Sequence, residues 1–212
     1  MSTQALRVTL VDIDAAAVAS ARRGAPQNLR CVAADASLLG EEAGGEAGGE
    51  AGGEGRGLAV GRVDMVVGLH ACGGLSDLII ALAVRHAAAF CICTCCFLSH
   101  PQMLLPAPHA AAPRLRREEW LGQSGDQLRP LLQLAELQGN ADAARLASHS
   151  VNALRARAAE ERWRVSRLGA TPLRVSLRSF DAKYSPRNLC MIGWVEEEEG
   201  PGLGSISTNC TN

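Results

Sequence analysis

No run of about 18 apolar residues free of charge occurs in this 212-residue sequence, so no membrane-spanning helix is expected. The first residues lack the basic stretch, apolar core and small-residue cleavage site of a secretory leader, and the expectation is a cytoplasmic protein, with the nucleus as the alternative. Lysine is almost missing: Lys183 is the single one among 21 basic residues, and the rest are arginine. Net charge is small too, at −1, but it hides an asymmetry. Residues 1–112 carry 7 basic and 10 acidic side chains, residues 113–187 carry 14 and 8, and residues 188–212 carry none and 4. Only the middle segment offers itself to an anionic partner such as nucleic acid, and solvated helix faces explain most excesses of this size.

What is present is apolar content, 47% of the chain, enough for one α/β domain with a real core. Eight cysteines would suit a disulfide scaffold, but four of them lie within Cys91 to Cys96, in a predicted buried strand where neighbours point to opposite faces. Buried, reduced thiols are the expected state. No metal site is expected either, because cysteines alternating along a strand do not converge tetrahedrally as a Cys-x-x-Cys turn does.

The chain is organised around Val63-Asp-Met-Val-Val-Gly-Leu-His-Ala-Cys-Gly-Gly-Leu-Ser-Asp77 and Ala89-Phe-Cys-Ile-Cys-Thr-Cys-Cys-Phe97. Both are short apolar runs that stop in small or polar residues, the pattern of strands buried on both faces, and residues 76–86 between them read as a helix. Strand, helix, strand is a parallel crossover unit, and ligands in open α/β sheets gather at the strands' carboxyl ends, where His70, Cys72, Cys95 and Cys96 would sit. Upstream, residues 5–13 and 28–34 read as two further strands flanking an alanine-rich helix over residues 15–23 that Asp14 caps and Gly24 closes. These strands end in Asp12 and Asp35, two carboxylates suited to a donor-rich ligand such as a nucleoside. Residues 40–57 repeat Glu-Ala-Gly-Gly, offer almost no apolar surface and read as a disordered insertion. Prolines 106, 108 and 113 mark a loop, then residues 126–137 and a longer stretch capped by Asn140 read as two helices. In the longer one Ala143, Ala147, Val151, Leu154 and Ala158 form the apolar stripe, with Arg145, Arg155, Arg157, Arg162 and Arg164 mainly off it. Residues 171–180 and 189–195 read as an antiparallel hairpin at the sheet edge, and residues 196–212 as a disordered acidic tail.

This order of parts resembles the class I S-adenosylmethionine-dependent methyltransferases. Within them, Val67 to Asp77, Cys93-Thr-Cys-Cys-Phe97 and Ser185-Pro-Arg-Asn188 resemble the methyltransferase domain of the glutathione S-transferase C-terminal-domain-containing protein and its methyltransferase-like relatives. The resemblance covers residues 5–195 apart from the glycine-rich insertion. It implies an α/β, Rossmann-like methyltransferase sheet with a C-terminal antiparallel hairpin and S-adenosylmethionine as cofactor; the methyl acceptor cannot be read from the sequence, and RNA and protein stand as candidates. Asp12 would bind the cofactor's ribose hydroxyls and Asp35 its adenine amino group, with Ala36 against the ring. Gly68, Leu69 and His70 would lie beside the methyl donor. The family's first strand and glycine-rich loop have no counterpart ahead of Val8, so the domain is expected to be truncated. The alternative is an inactive remnant or a binding module using the arginine-rich helices.

For catalysis, His70 reads either as a general base at a strand end or as a structural histidine bonded to backbone. Cys72 and Cys95 occupy the places of the nucleophile and partner cysteine of RNA 5-methylcytosine methyltransferases, in position only. Packing is the alternative.

Overall fold

Two parallel crossover units and one antiparallel hairpin build the chain in the computed structural model, which describes residues 6–12, 14–34, 36, 63–105, 114–166, 171–185 and 187–196. The insertion at residues 40–57 and the tail beyond residue 196 lie outside the described residues.

The first unit is β1 (Val8–Asp12), α1 (Ala15–Arg22) and β2 (Leu29–Ala33). Asp14 caps α1 as the sequence predicts, accepting from the Ala16 and Ala17 N–H groups at 2.8 and 3.2 Å. Arg22, in the last turn, donates from Nη2 to the Cys31 carbonyl at 2.7 Å and ties the helix to β2. The strands are parallel, in register from Val8 opposite Leu29 to Asp12 opposite Ala33.

The second unit is β3 (Met65–Ala71), α2 (Gly74–His86) and β4 (Ala89–Thr94), again parallel. The hairpin of β5 (Leu173–Ser179) and β6 (Leu189–Val195) joins it, and β6 pairs antiparallel with β4. The resulting sheet has the order β3-β4-β6-β5, while β1 and β2 form a separate two-stranded sheet. The α/β class expected from the sequence is therefore observed.

Among the described residues three helices, not two, separate β4 from β5: α3 (Arg117–Leu121), α4 (Gly125–Ala135) and α5 (Ala141–Ser166). The five-residue α3 is too short to show a period, but Glu119 reaches back to accept from the Arg116 N–H at 3.0 Å. Asn140 accepts from the Ala143 N–H at 3.0 Å, the predicted cap of α5.

The core lies on one face of the four-stranded sheet. Phe90 and Ile92 of β4 and Met191 of β6 are buried with Leu78, Ile80 and Val84 of α2 and Val151, Ala159 and Trp163 of α5. This corrects the expectation that β3 is buried on both faces. Met65, Val67 and Leu69 are 57%, 66% and 73% exposed, and Cys91 and Cys93 beside them are only half-buried. Helix α2 covers one face, and among the described residues the opposite face stays open, so an apolar run without alternation did not mean two-sided burial.

At the centre of the buried face sits a carboxylate. Asp77, in the first turn of α2, is fully buried and receives Arg155 of α5 in a fork, Nε to Oδ1 at 2.8 Å and Nη2 to Oδ2 at 3.2 Å. Arg117 of α3 places Nε 2.7 Å from Oδ2. Arg155 also donates to the Gly73 carbonyl at 2.8 Å and to Asn152 Oδ1 at 2.9 Å, and Asn152 donates to Thr94 Oγ1 at 3.1 Å. Arg117 donates from Nη1 to the Phe97 carbonyl at 2.8 Å. One acid thus links α2, α3 and α5 to the loops that follow β3 and β4.

Removing one member of such a buried group leaves the others charged and unpaired, which costs far more than losing an exposed pair. Asp77→Ala is expected to destabilise the fold by roughly 3–5 kcal/mol, read by urea denaturation. Asp142→Ala, which breaks the exposed pair with Arg145, should change stability by less than about 1 kcal/mol. Equal effects of the two substitutions would show that the Asp77 group is not a brace.

Candidate functional site

The loops after β3 and β4 meet at the carboxyl edge of the sheet. Strand β3 loses register between Leu69 and Ala71, and His70 stands at this irregularity, exposed and with φ of 54°. Left-handed backbone is uncommon for a residue with a side chain and is characteristic of bulges and functional turns. Three residues on, Gly73 has φ of 53°, and a Cβ there would lie 1.8 Å from the Ser99 carbonyl oxygen, so only glycine fits. The Gly73 N–H donates to the Cys96 carbonyl at 2.8 Å and the Gly74 N–H to the Ser99 carbonyl at 3.0 Å. The two loops are stitched together by backbone.

That stitching brings three thiols into one cluster. Cys72 Sγ lies 2.8 Å from Cys95 Sγ and 3.1 Å from Cys96 Sγ, and the last two are 3.6 Å apart. Cys95 is buried, while Cys72 and Cys96 are half-buried. Burial pushes the Cys72 and Cys95 thiols above their ordinary pKa; Cys95 adds to the rise at Cys72 while Cys96 opposes it, and at Cys95 the contact with Cys72 opposes the rise while Cys96 adds to it. The Cys96 thiol is raised first by its contact with Cys72 and then by burial, against the lowering effect of Arg187. Thiolate is the nucleophilic form, so a nucleophilic role for Cys72 or Cys95 would need a base to take the thiol proton. Cys91 and Cys93 stay out of the cluster, on the open face, where Cys93 meets Cys190 of β6 at 2.7 Å. Cys95 and Cys96, which the sequence placed at the strand's carboxyl end, lie just beyond β4 and meet Cys72, 23 residues upstream of Cys95, a convergence that the alternation of cysteines along the strand did not foretell.

Arg187, in the connection between β5 and β6, holds the second loop from outside. Its Nη1 donates to the Cys95 carbonyl, and its Nη2 pairs with Glu136 Oε2 at 3.1 Å. Glu136 Oε1 in turn accepts from the Phe97 N–H. A cavity of about 220 Å³ opens beside this arrangement, lined among others by His70, Thr94, Phe180, Tyr184 and Ser185. Neither Glu136 nor the Arg187 contact was legible beforehand, although Ser185 to Asn188 was already part of the quoted motif.

The candidate cofactor residues are placed as follows. Asp12 ends β1, and its Oδ1 accepts from the Asp14 N–H at 2.9 Å while its carbonyl accepts from the Ala34 N–H at 2.9 Å. Asp35 lies outside the described residues, and Ala36 packs half-buried against the core. Gly68 is buried, and the place of a Cβ there is taken by Ile79 Cδ1 at 2.4 Å. Close packing on α2 is thus what demands glycine at this position. Leu69 is exposed.

The arginine-rich segment needs a correction. Arg155 was expected off the apolar stripe of α5 and is instead fully buried, as is Arg117 of α3. The buried stripe runs through Ala147, Val151, Asn152, Arg155, Ala158, Ala159 and Trp163, so the arginine belongs to it as the partner of Asp77. Part of the positive excess of residues 113–187 therefore faces inward, while Arg129, Arg145, Arg157 and Arg164 remain exposed.

Residues 2–99 match a family described as a methyltransferase domain. The chain is also similar to a glutathione S-transferase C-terminal domain-containing protein homolog of Drosophila pseudoobscura pseudoobscura, at 36% identity over 69 residues. That match takes in 32% of this chain and spans 11% of the relative's length. No solved structure matches. No helix among the described residues is long and apolar enough to cross a membrane. The family match takes in β1 to β4 and the strand ends from Asp12 to Cys96, within the stretch whose residues resemble methyltransferases.

Proposed function

We propose that the chain is an S-adenosylmethionine-dependent methyltransferase domain of the Rossmann-like class, acting on RNA, with protein as the second acceptor class. The observation that carries this reading is the strand order. Each sheet ends in a strand with an unpaired edge among the described residues, β1 in one and β3 in the other. One further parallel strand between them would give the continuous order β2-β1-x-β3-β4-β6-β5, an open sheet whose ligand crevice lies at that strand's carboxyl end. A strand and glycine-rich loop in that place would be those the resemblance assigns to the methionine end of the cofactor.

The residues present fit the other end. Asp12 uses one carboxylate oxygen in a local turn, and a carboxylate has further acceptor positions for hydroxyl donors. Asp12 would hold the ribose, Asp35 the adenine amino group and Ala36 the ring, with the backbone of residues 68–70 beside the donor. When bound, S-adenosylmethionine supplies a methyl group on a positively charged sulfur, activated for transfer. His70 stands at the cavity with Tyr184 and Ser185, where it would take a proton from the acceptor. The exposed arginines of α4 and α5 provide cations for an RNA backbone.

Two outcomes are expected. In a longer chain that carries a strand and glycine-rich turn ahead of β1, Asp12→Ala should weaken S-adenosylmethionine binding by roughly 1.5–3 kcal/mol, the value of a hydrogen bond to a charged group. Unchanged affinity by calorimetry would remove Asp12 from the site. Residues 1–212 alone should bind S-adenosylmethionine far more weakly than the longer chain, because among the described residues no strand and glycine-rich turn stand between β1 and β3 to hold the methionine end. Equal affinities in isothermal titration would show that the added strand is not needed, and the reading of the two open edges would fall.

A further inference from the structure

We propose that Cys72, Cys95 and Cys96 form a three-thiolate site for zinc(II), with the fourth coordination position open to the solvent side. The three sulfurs come from two separate loops, yet all lie within 4.8 Å of one another. None is engaged in a disulfide. Two of the three separations, 2.8 and 3.1 Å, are shorter than a comfortable contact between uncharged thiols, so the cluster as it stands is crowded. Zinc at about 2.3 Å from each sulfur in tetrahedral geometry would set the sulfurs about 3.8 Å apart. Reaching that arrangement asks Cys72 to withdraw by about 1 Å, and Cys72 and Cys96 are both half-exposed and able to move.

The surroundings are built for a negatively charged centre. Zinc with three thiolates carries one net negative charge. Behind it, the buried group of Asp77, Arg155 and Arg117 carries one net positive charge, since arginine stays protonated. Its guanidinium groups donate to the carbonyls of Gly73 and Phe97, the residues directly after Cys72 and Cys96. Arg187 adds a further cation and donates to the Cys95 carbonyl. These contacts fix the loops that bear the ligands, the role that outer partners play around metal sites. Thiolate donors select a soft or borderline cation over magnesium or calcium. With three protein ligands and an open side, the site has the donor count of a zinc centre that binds a further small ligand, water or a substrate atom.

The inference stands apart from methyl transfer, and its test uses no S-adenosylmethionine. Cobalt(II) is titrated into the reduced, metal-free full chain. The expected result is one equivalent bound, with intense thiolate-to-cobalt charge-transfer bands and tetrahedral visible bands that zinc displaces. Cys72→Ser and Cys96→Ser should each weaken cobalt binding by about 100-fold or more, whereas Cys91→Ser should leave it unchanged. Cys95 is buried, so the test rests on the two half-exposed positions, with circular dichroism confirming that each variant is folded. Zinc should also raise the melting temperature of the unsubstituted chain and not that of Cys96→Ser. A folded chain without charge-transfer bands, or bands that survive the loss of Cys96, overturns the proposal. So does a Cys72–Cys95 disulfide in freshly purified, zinc-free protein, found by peptide mass mapping.

Discussion

A single buried carboxylate governs how this chain is put together. Asp77 has no exposure to water, and an ionised carboxylate is tolerated in that position only with matched partners. It has two, and each guanidinium reaches past it to a backbone carbonyl at the edge of the sheet. Arg155 also lies 5.5 Å from the centre of the Phe97 ring, so the same side chain packs as well as pairs. Replacing the group by apolar residues of equal size could keep the fold, but it would release the loops after β3 and β4 from their fixed positions. The ion group is better understood as a device for placing those loops than as a source of stability.

Much of the frame was legible. The parallel units, the cap at Asp14, the cap at Asn140 and the final hairpin follow from local chemistry: an acceptor before a helix, apolar runs ended by turn residues, and a connection of suitable length. The site was legible in part. Its strand ends were located, because position along a strand is a property of sequence. Its contacts were not, because Asp77 with Arg155, and Cys72 with Cys95, are pairs formed by the fold and separated by 78 and 23 residues. Arg155 misled for a physical reason: an arginine among apolar stripe residues reads as solvated until its buried acid is known.

The same limit explains the misreading of β3. A run such as Met65-Val-Val-Gly-Leu69 records that both faces are apolar and does not record what lies against them. Here one face meets α2 and the other shows Met65, Val67 and Leu69, with Ile192 and Trp194 of β6 also exposed on the far side of β4. Open apolar surface together with an unpaired strand edge is a liability for self-association. It is also the surface a further element of a three-layer α/β domain would cover.

The position of the two arginines bears on where the domain ends. The family match ends at residue 99, but Arg117 and Arg155 lie beyond it and close around an acid within it. A chain cut at that boundary would keep Asp77 in its helix and lose both countercharges at once. During synthesis, likewise, the loops of Cys72 and Cys96 cannot settle until α5 has left the ribosome. The stretch that matches the methyltransferase-domain family is therefore shorter than the stretch that has to fold as one body.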